Sequence, residues 1–304
     1  MLNPSPSPPR AFRRARLLIV GCGDVGQRVL RELGGRWRVC ALTSKPAHAA
    51  ALRALGARPL LGNLDAPGSL GRLAALAGRV LHLAPPPAQG AGDPRTAALL
   101  RALARGGVVR RIVYGSTSGV YGDAAGARFD ETRTVAPATD RARRRVDAER
   151  RLRWFGAAFG ANVSLLRIPG IYAPDREGGD PRERVVRGTP VLRREDDVFT
   201  NHIHADDLAR ACIAALLRAK PQRAVHVSDD GDLRMGDHFD LVADLHGLPR
   251  PPRIGRDEAR ERLGPMALSF LSESRRLDNR RLKTELRVAL RHPTVREGLK
   301  PRAR

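Results

Sequence analysis

Gly21, Gly23 and Gly26 follow at once on the apolar run Leu17-Leu18-Ile19-Val20, in the pattern G-x-G-x-x-G, and these are the residues of this chain most able to do chemistry by type and spacing. After a buried strand, the first glycine permits a tight turn and the second lets backbone approach a pyrophosphate. The third lets the next helix pack on the strand. Unpaired N–H groups where that helix starts, near Asp24 and Val25, would attract phosphate. In a chain with 30 glycines the pattern alone can also arise by chance. About 20 residues further on, where an acid would bond a ribose 2′-OH, stand Thr43, Ser44 and Lys45. Two hydroxyls and an ammonium favour NADP over NAD, with NAD still open. Thr43 and Ser44 could equally cap the following helix.

The other candidate chemistry is weaker. His202 and His204 form an H-x-H pair that a strand would point to one face, but no third ligand is evident beside them or His238, so no metal is expected. His82 lies inside an apolar strand and reads as a hydrogen-bonded structural histidine. Cys22, Cys40 and Cys212 make neither a CxxC pair nor an even framework, which implies reduced thiols.

The elements that must position these residues alternate. Short apolar runs at 17–20, 37–42, 58–61, 79–84, 111–115 and 163–168 read as strands buried on both faces. Helical patterns lie between them from Asp24 to Gly34, Ala49 to Leu55, Ser69 onward, Pro94 to Arg105 and Asp140 to Phe155. This is an α/β, doubly wound Rossmann-type parallel sheet, and ligands bind such sheets at the carboxyl ends of the strands. Pro85-Pro86-Pro87 turns the chain away after the fourth strand. Residues 16–170 would form the NAD(P)-binding domain, to which a helix near 205–218 and a strand near 224–227 return. Residues 171–304 would be mostly a smaller C-terminal substrate lobe, and 1–15 a disordered basic tail.

The length of 304 residues can bury a sizeable core, and no apolar run approaches the ~20 residues of a membrane span. The first residues lack a signal peptide's apolar region, so a cytoplasmic protein is expected, with no membrane partner. A formal charge of +23 invites a nucleic-acid reading. Yet 51 arginines against 4 lysines, spread along the chain with no recognisable module, fit a GC-rich coding sequence better than a nucleic-acid site. No specific nucleic-acid partner is expected.

Several ordered motifs carry a family resemblance. The glycine motif, the turn Gly62-Asn63-Leu64-Asp65, "HLAPPP" after the fourth strand, "STSGVYG" (116–122), "LRIPGIYAP" (166–174) and "IHADDLARA" (203–211) together resemble an atypical, extended short-chain dehydrogenase/reductase of the NAD-dependent epimerase/dehydratase group. The resemblance covers Leu17 to Leu299. It implies cofactor contacts from Gly21, Gly23, Asp24, Val25, Gly26, Thr43, Ser44, Lys45, Asn63, Leu64, Leu83, Ala84, Pro85 and Pro169. Thr117 takes the place of the family's catalytic Ser/Thr and would hydrogen-bond a substrate hydroxyl or carbonyl. Its other reading is a local turn bond.

The departure from the family is as informative. Aligned on Ala148-Glu149, the acid–base Y-x-x-x-K pair becomes Arg141 and Arg145. A guanidinium stays protonated, so it can orient an anion or stabilise developing negative charge but is a poor general acid or base. Of the three tyrosines, Tyr114 would pack from a strand, while Tyr121 and Tyr172 lie in loops that could offer a phenol or simply pack. Two readings follow: an NAD(P)-binding oxidoreductase or epimerase/dehydratase-like enzyme on a small, anionic or sugar-like substrate, or a non-catalytic NADP-binding sensor. The helix from Asp140 to Phe155 carries seven arginines and a narrow apolar stripe, so the chain would be a monomer or, if the family's dimer through this helix is kept, a homodimer.

Overall fold

A computed structural model describes residues 15–300, and nearly all of the expected N-terminal tail lies outside them. Seven strands form one parallel sheet: β1 (Arg16–Val20), β2 (Arg38–Thr43), β3 (Arg58–Leu61), β4 (Arg79–His82), β5 (Arg111–Thr117), β6 (Asn162–Ile168) and β7 (Arg223–His226). Their spatial order is β7-β6-β5-β4-β1-β2-β3, so the direction of winding reverses between β1 and β4. In such sheets the crevice at the reversal is where ligands sit.

Alternation along β1 shows why these runs are apolar throughout. Leu17 and Ile19 face one core with Val29 and Leu33 of helix α1 (Asp24–Leu33), while Leu18 and Val20 face another with Leu99 and Leu103 of a helix at Pro94–Ala104. With α2 at His48–Ala54, that Pro94–Ala104 helix is α3, followed by α4 (Asp140–Phe159) and α5 (Ala205–Arg218). Side chains fix where the helices begin. Asp93 accepts the Thr96 N–H to start α3, with Pro94 in the first turn, and Thr139 accepts the Ala142 N–H to start α4. Helix α5 is capped by His204 Nδ1, which accepts the Asp206 N–H, while Asp206 and Asp207 occupy its first turn.

Two elements differ from the expected pattern. The helix expected from Ser69 is a 3-10 helix at Pro67–Leu73, broken up by Gly68 and Gly71. Strand β4 stops at His82 instead of Ala84, because the Leu83 and Ala84 N–H groups both turn back to Val20 O, at 2.7 and 3.0 Å. Beyond Gly170 a smaller core gathers Tyr172, Val191, Leu192, Val198, Phe239, Val242, Val295 and Leu299. Leu282, Leu286 and Val288 pack in the main core beside α1 and α5, so the C-terminal segment crosses between the two lobes. Among the described residues no helix is long and apolar enough to cross a membrane.

A buried polar chain crosses from α4 to the far edge of the sheet. Arg167 on β6 makes a bidentate pair with Glu149 on α4 at 2.8 and 3.2 Å, and Glu149 also accepts from the Ser116 hydroxyl at 2.6 Å. Arg167 Nη1 donates to the Tyr121 hydroxyl at 2.6 Å, and that oxygen lies 2.6 Å from His226 Nε2 on β7. Because both charges are buried, losing one partner strands the other in a low-dielectric interior. Glu149→Gln or Arg167→Met should therefore each lower the free energy of unfolding by about 3–5 kcal/mol in urea titrations. The double variant Glu149→Leu/Arg167→Met should lose less than either single change, and additive losses would contradict this account.

Candidate active site

At the carboxyl ends of β1 to β4 lies a groove of about 460 Å³ lined by Gly21, Gly23, Thr43, Ser44, Lys45, Asn63, Leu64, Leu83, Ala84 and Pro85, together with several residues the sequence did not single out. Gly21 has φ +85°, and a Cβ there would lie 2.3 Å from Ala84 N. No other residue type fits that contact. Gly23 differs: a Cβ there would meet nothing within 4 Å, so its backbone faces open space at the start of α1. A Cβ on Gly26 would come 3.1 Å from Cys22 Sγ, which keeps the first turn of α1 against the glycine turn.

Ten expected cofactor residues thus meet in one groove, while Asp24, Val25, Gly26 and Pro169 do not line it. The Asp24 carboxylate is held 3.1 Å from Arg28 and 3.2 Å from Arg176. This pairing neutralises an acid that would otherwise repel an anion at the helix start. Thr43 Oγ1 accepts the Lys45 N–H at 3.2 Å, which curls the chain so that Ser44 and Lys45 face the groove. The alternative that Thr43 and Ser44 cap α2 does not hold, since Ala47 occupies that position without a side-chain cap. Asn63 Oδ1 accepts the Asp65 N–H at 3.0 Å.

Cys22, Gln27, His48, Asp65 and Arg95 line it as well, as do Val20, Leu42 and Gly62. Arg95 forms a bidentate pair with Asp65 at 2.6 and 2.7 Å and donates to Pro85 O at 3.2 Å, so one guanidinium ties α3 to the loops after β3 and β4. No spacing rule links residues 30 apart, which is why the sequence concealed the pair.

Further along the rim, Thr117 ends β5 half-buried, and its Oγ1 accepts the Gly119 N–H at 3.2 Å. The local turn bond is therefore present. Arg145 reaches β5 from α4, its Nη1 donating to Gly115 O at 2.7 Å and to the Tyr114 hydroxyl at 3.0 Å. Arg141 sits over the Phe270 ring at 4.8 Å. Neither tyrosine expected in a loop lies in one or offers a phenol, since Tyr121 ends a 3-10 helix at Ser118–Tyr121 and Tyr172 ends a short strand at Gly170–Tyr172. Tyr121 is 1 % exposed within the Arg167–His226 chain, and Tyr172 is 3 % exposed with its hydroxyl donating to Thr294 O. Tyr121 is thus corrected from a candidate acid–base group to a buried structural residue, its hydroxyl pushed up to about 12 chiefly by burial.

The histidines divide similarly. His82 Nε2 lies 2.9 Å from Thr96 Oγ1 in full burial. His204, Asp206 and His292 approach one another closely enough to hold an ion, a grouping the sequence did not reveal. Within it Asp206 Oδ1 accepts from Arg28 and His204 Nδ1 accepts from the Asp206 N–H.

Comparison with known proteins comes down on the same side as the geometry. The model of the family described as NAD dependent epimerase/dehydratase family matches residues 17–228, and the chain belongs to that family. No curated protein matches it. A conserved protein of unknown function from Silicibacter pomeroyi is 32% identical, with a TM-score of 0.78 over 94% of this chain and 97% of that one. The UDP-glucose 4-epimerase of Thermotoga maritima, solved with UDP-glucose, is 19% identical with a TM-score of 0.76 over 94% and 96%. A dTDP-glucose 4,6-dehydratase from Streptomyces venezuelae, solved with NAD bound, is 19% identical with a TM-score of 0.75 over 93% and 94%. By family and fold the chain is an NAD(P)-dependent epimerase/dehydratase-like protein of the extended short-chain dehydrogenase/reductase kind.

Buried imidazoles give the fold an acid limit. Burial, with Arg145 adding to it, holds His82 down to about 3, and burial holds His204 and His226 down to about 4. An unfolded imidazole titrates near ~6.5, so below that pH the unfolded chain binds more protons than the folded one. The histidine contribution is complete above pH ~6.5 and should fall by up to ~1.4 kcal/mol per pH unit for each such histidine as the pH drops towards 4, outweighing the opposite slope from the buried carboxyl of Asp229, which burial pushes up to about 8. Urea midpoints between pH 7 and pH 4.5 measure this, and a flat profile would contradict it.

Proposed function

We propose that this chain binds NADP in the groove at Gly21 and Gly23 and acts at the neighbouring end of β5 on a small-molecule substrate. The observation that carries the reading is the groove itself: a glycine that only Gly can be, an open backbone at the start of α1, and a second-strand turn with no acid. The residues fit a dinucleotide. Gly23 and the first N–H groups of α1 would hold the pyrophosphate, Asn63 and Leu64 would meet the adenine, and Ser44, Lys45 and His48 would face the ribose 2′ position. NAD is bound by the Streptomyces dehydratase, and a carboxylate at the second-strand turn would favour it here. None is present among Thr43, Ser44 and Lys45.

A bound nicotinamide supplies hydride transfer. What the chain's own residues supply is narrower: the Thr117 hydroxyl can hydrogen-bond a substrate oxygen, and Arg145 can steady negative charge developing beside β5. None of the three tyrosines stands open at this end of the rim as a proton carrier, since Tyr114, Tyr121 and Tyr172 are all buried. That observation also favours a second reading, in which the protein binds NADP and senses it without turnover.

Fluorescence titration tests the first step. NADPH should bind more tightly than NADH, and Lys45→Glu should weaken NADPH binding about tenfold or more while leaving NADH nearly unchanged. Equal affinities in both variants would remove the NADP preference. With substrate in hand, Thr117→Ala should lower kcat/KM by about 10–100-fold, consistent with loss of one oriented hydrogen bond. Unaltered NADPH binding with no turnover on any sugar nucleotide or keto compound would favour the sensor.

Assembly should depend on salt. Trp154 is 67% exposed and Phe159 47%, bordering an apolar groove between α3 and α4 that is broader than the narrow stripe expected, while Arg101 and Arg150 lie on the same face. Apolar burial would pair two copies and like charge would oppose it. Sedimentation should therefore show more homodimer at 0.5 M salt than at 0.05 M, and the reverse trend would contradict this.

A further inference from the structure

Arg141, Arg144 and Arg145 lie within two turns of the start of α4, and among the described residues none of them has a carboxylate within ion-pair distance. Elsewhere several inward guanidinium groups are neutralised by carboxylates, while Arg111 and Arg153 meet single or paired backbone carbonyls only. Arg28 holds Asp24, Asp175 and Asp206, Arg253 lies within 3.6 Å of three aspartates, and Arg167 holds Glu149. Glu273 is the carboxylate whose charge chiefly favours Arg141, and it is already tied to Arg275 at 2.6 Å.

A solvated basic face would explain arginines that point outward, and it fits Arg143 and Arg150. It does not fit Arg144, which is 7% exposed, donates through Nη1 to Gly90 O at 2.8 Å, and keeps a buried Nε with no partner. Nor does it fit Arg145, which turns inward to Gly115 O. Arg141 stands between the two cases. It is open on its outer side, but desolvation under its neighbours and the nearby Arg145, Arg275 and Arg144 pull its guanidinium below the ordinary range. Uncompensated charge in a partly desolvated place costs free energy that a bound anion would recover.

Position points the same way. α4 runs back from the strand-end rim, so Arg141, one turn before Arg145, lies ~6 Å nearer that rim. Arg145 itself reaches β5 at Gly115 O, two residues before Thr117 ends that strand. We infer that Arg141 and Arg145 form a binding site for an oxyanion group, carboxylate or phosphate, carried by the substrate, with Thr117 beside it. This rests on the reading of the adjoining groove as the dinucleotide site. A planar guanidinium fork matches either oxyanion with two parallel hydrogen bonds, which the family's tyrosine and lysine in these two positions could not offer. The arginines thus change what the site accepts as well as what it cannot catalyse. Phe270 lies against the Arg141 guanidinium at 4.8 Å and leaves its outer side open to an anion.

The test is calorimetric titration of the full chain with inorganic phosphate and, separately, with malonate, at 150 mM NaCl, alone and with NADPH present. One of the two anions should bind saturably with one site, which also tells phosphate from carboxylate. Affinity should drop at least tenfold in Arg141→Gln and in Arg145→Gln, and less in Arg141→Lys, which keeps the charge but loses the fork. The control Arg101→Gln/Arg150→Gln removes two charges from the other end of the α3–α4 surface and should bind as the native chain does. Equal weakening in the control and the Arg141 variants, or no saturable binding of either anion, would overturn the inference. Arg141 is open on its outer side, so Arg141→Gln reports on the site even if Arg145→Gln fails to fold. Failure of NADPH to bind would show in its own titration and would count against the groove while leaving the anion result readable.

Discussion

Everything at the strand-end rim depends on one close approach, that of the Gly21 backbone to the chain leaving β4. A Cβ at Gly21 would sit 2.3 Å from Ala84 N, and Val20 O accepts from both Leu83 and Ala84 N–H groups. That contact ends β4, turns Pro85-Pro86-Pro87 outward, and sets the near wall of the groove. The far wall is the curl at Thr43 to Lys45, and the Arg95–Asp65 pair closes one end. The groove follows from strand order and one glycine, with polar side chains added at its edges.

Charge is the second constraint. A chain with a formal charge of +23 must place 55 basic residues. Where guanidinium groups enter the fold they are mostly matched, as Arg28 is by three aspartates joining α1, α5 and the loop after Tyr172. Asp207 uses its carboxylate differently, accepting the Arg291 and His292 N–H groups to bind the C-terminal turn to α5. The start of α4 is where three unmatched guanidinium groups cluster, and it falls where the family's proton-transfer pair would stand.

Much of this was legible in the sequence because it was local. Buried parallel strands declare themselves as continuous apolar runs, and Gly21 to Gly26, Thr43 to Lys45 and Asn63-Leu64 each sit at the end of such a run. The parts that were not legible join residues distant in the chain. Arg95 with Asp65, His204 with His292, and Tyr121 with Arg167 and His226 follow no periodicity, since each pair meets only after the sheet has assembled. Tyr121 shows the cost of reading a motif without its packing: a position expected in a loop beside the active rim turned out to be 1% exposed. The 3-10 helix at Pro67–Leu73 was missed for the opposite reason, a local effect of two glycines that the apolar pattern hid.

Amide hydrogen exchange with and without NADPH tests the central claim most directly. If the Gly21 turn and its neighbours form the dinucleotide site, NADPH should slow exchange at residues 21–27, 43–48 and 62–65 together, with little change in the lobe containing Phe239 and Leu299. Protection confined to that lobe, or none at the three rim segments despite measurable binding, would show that the groove is not where the dinucleotide sits.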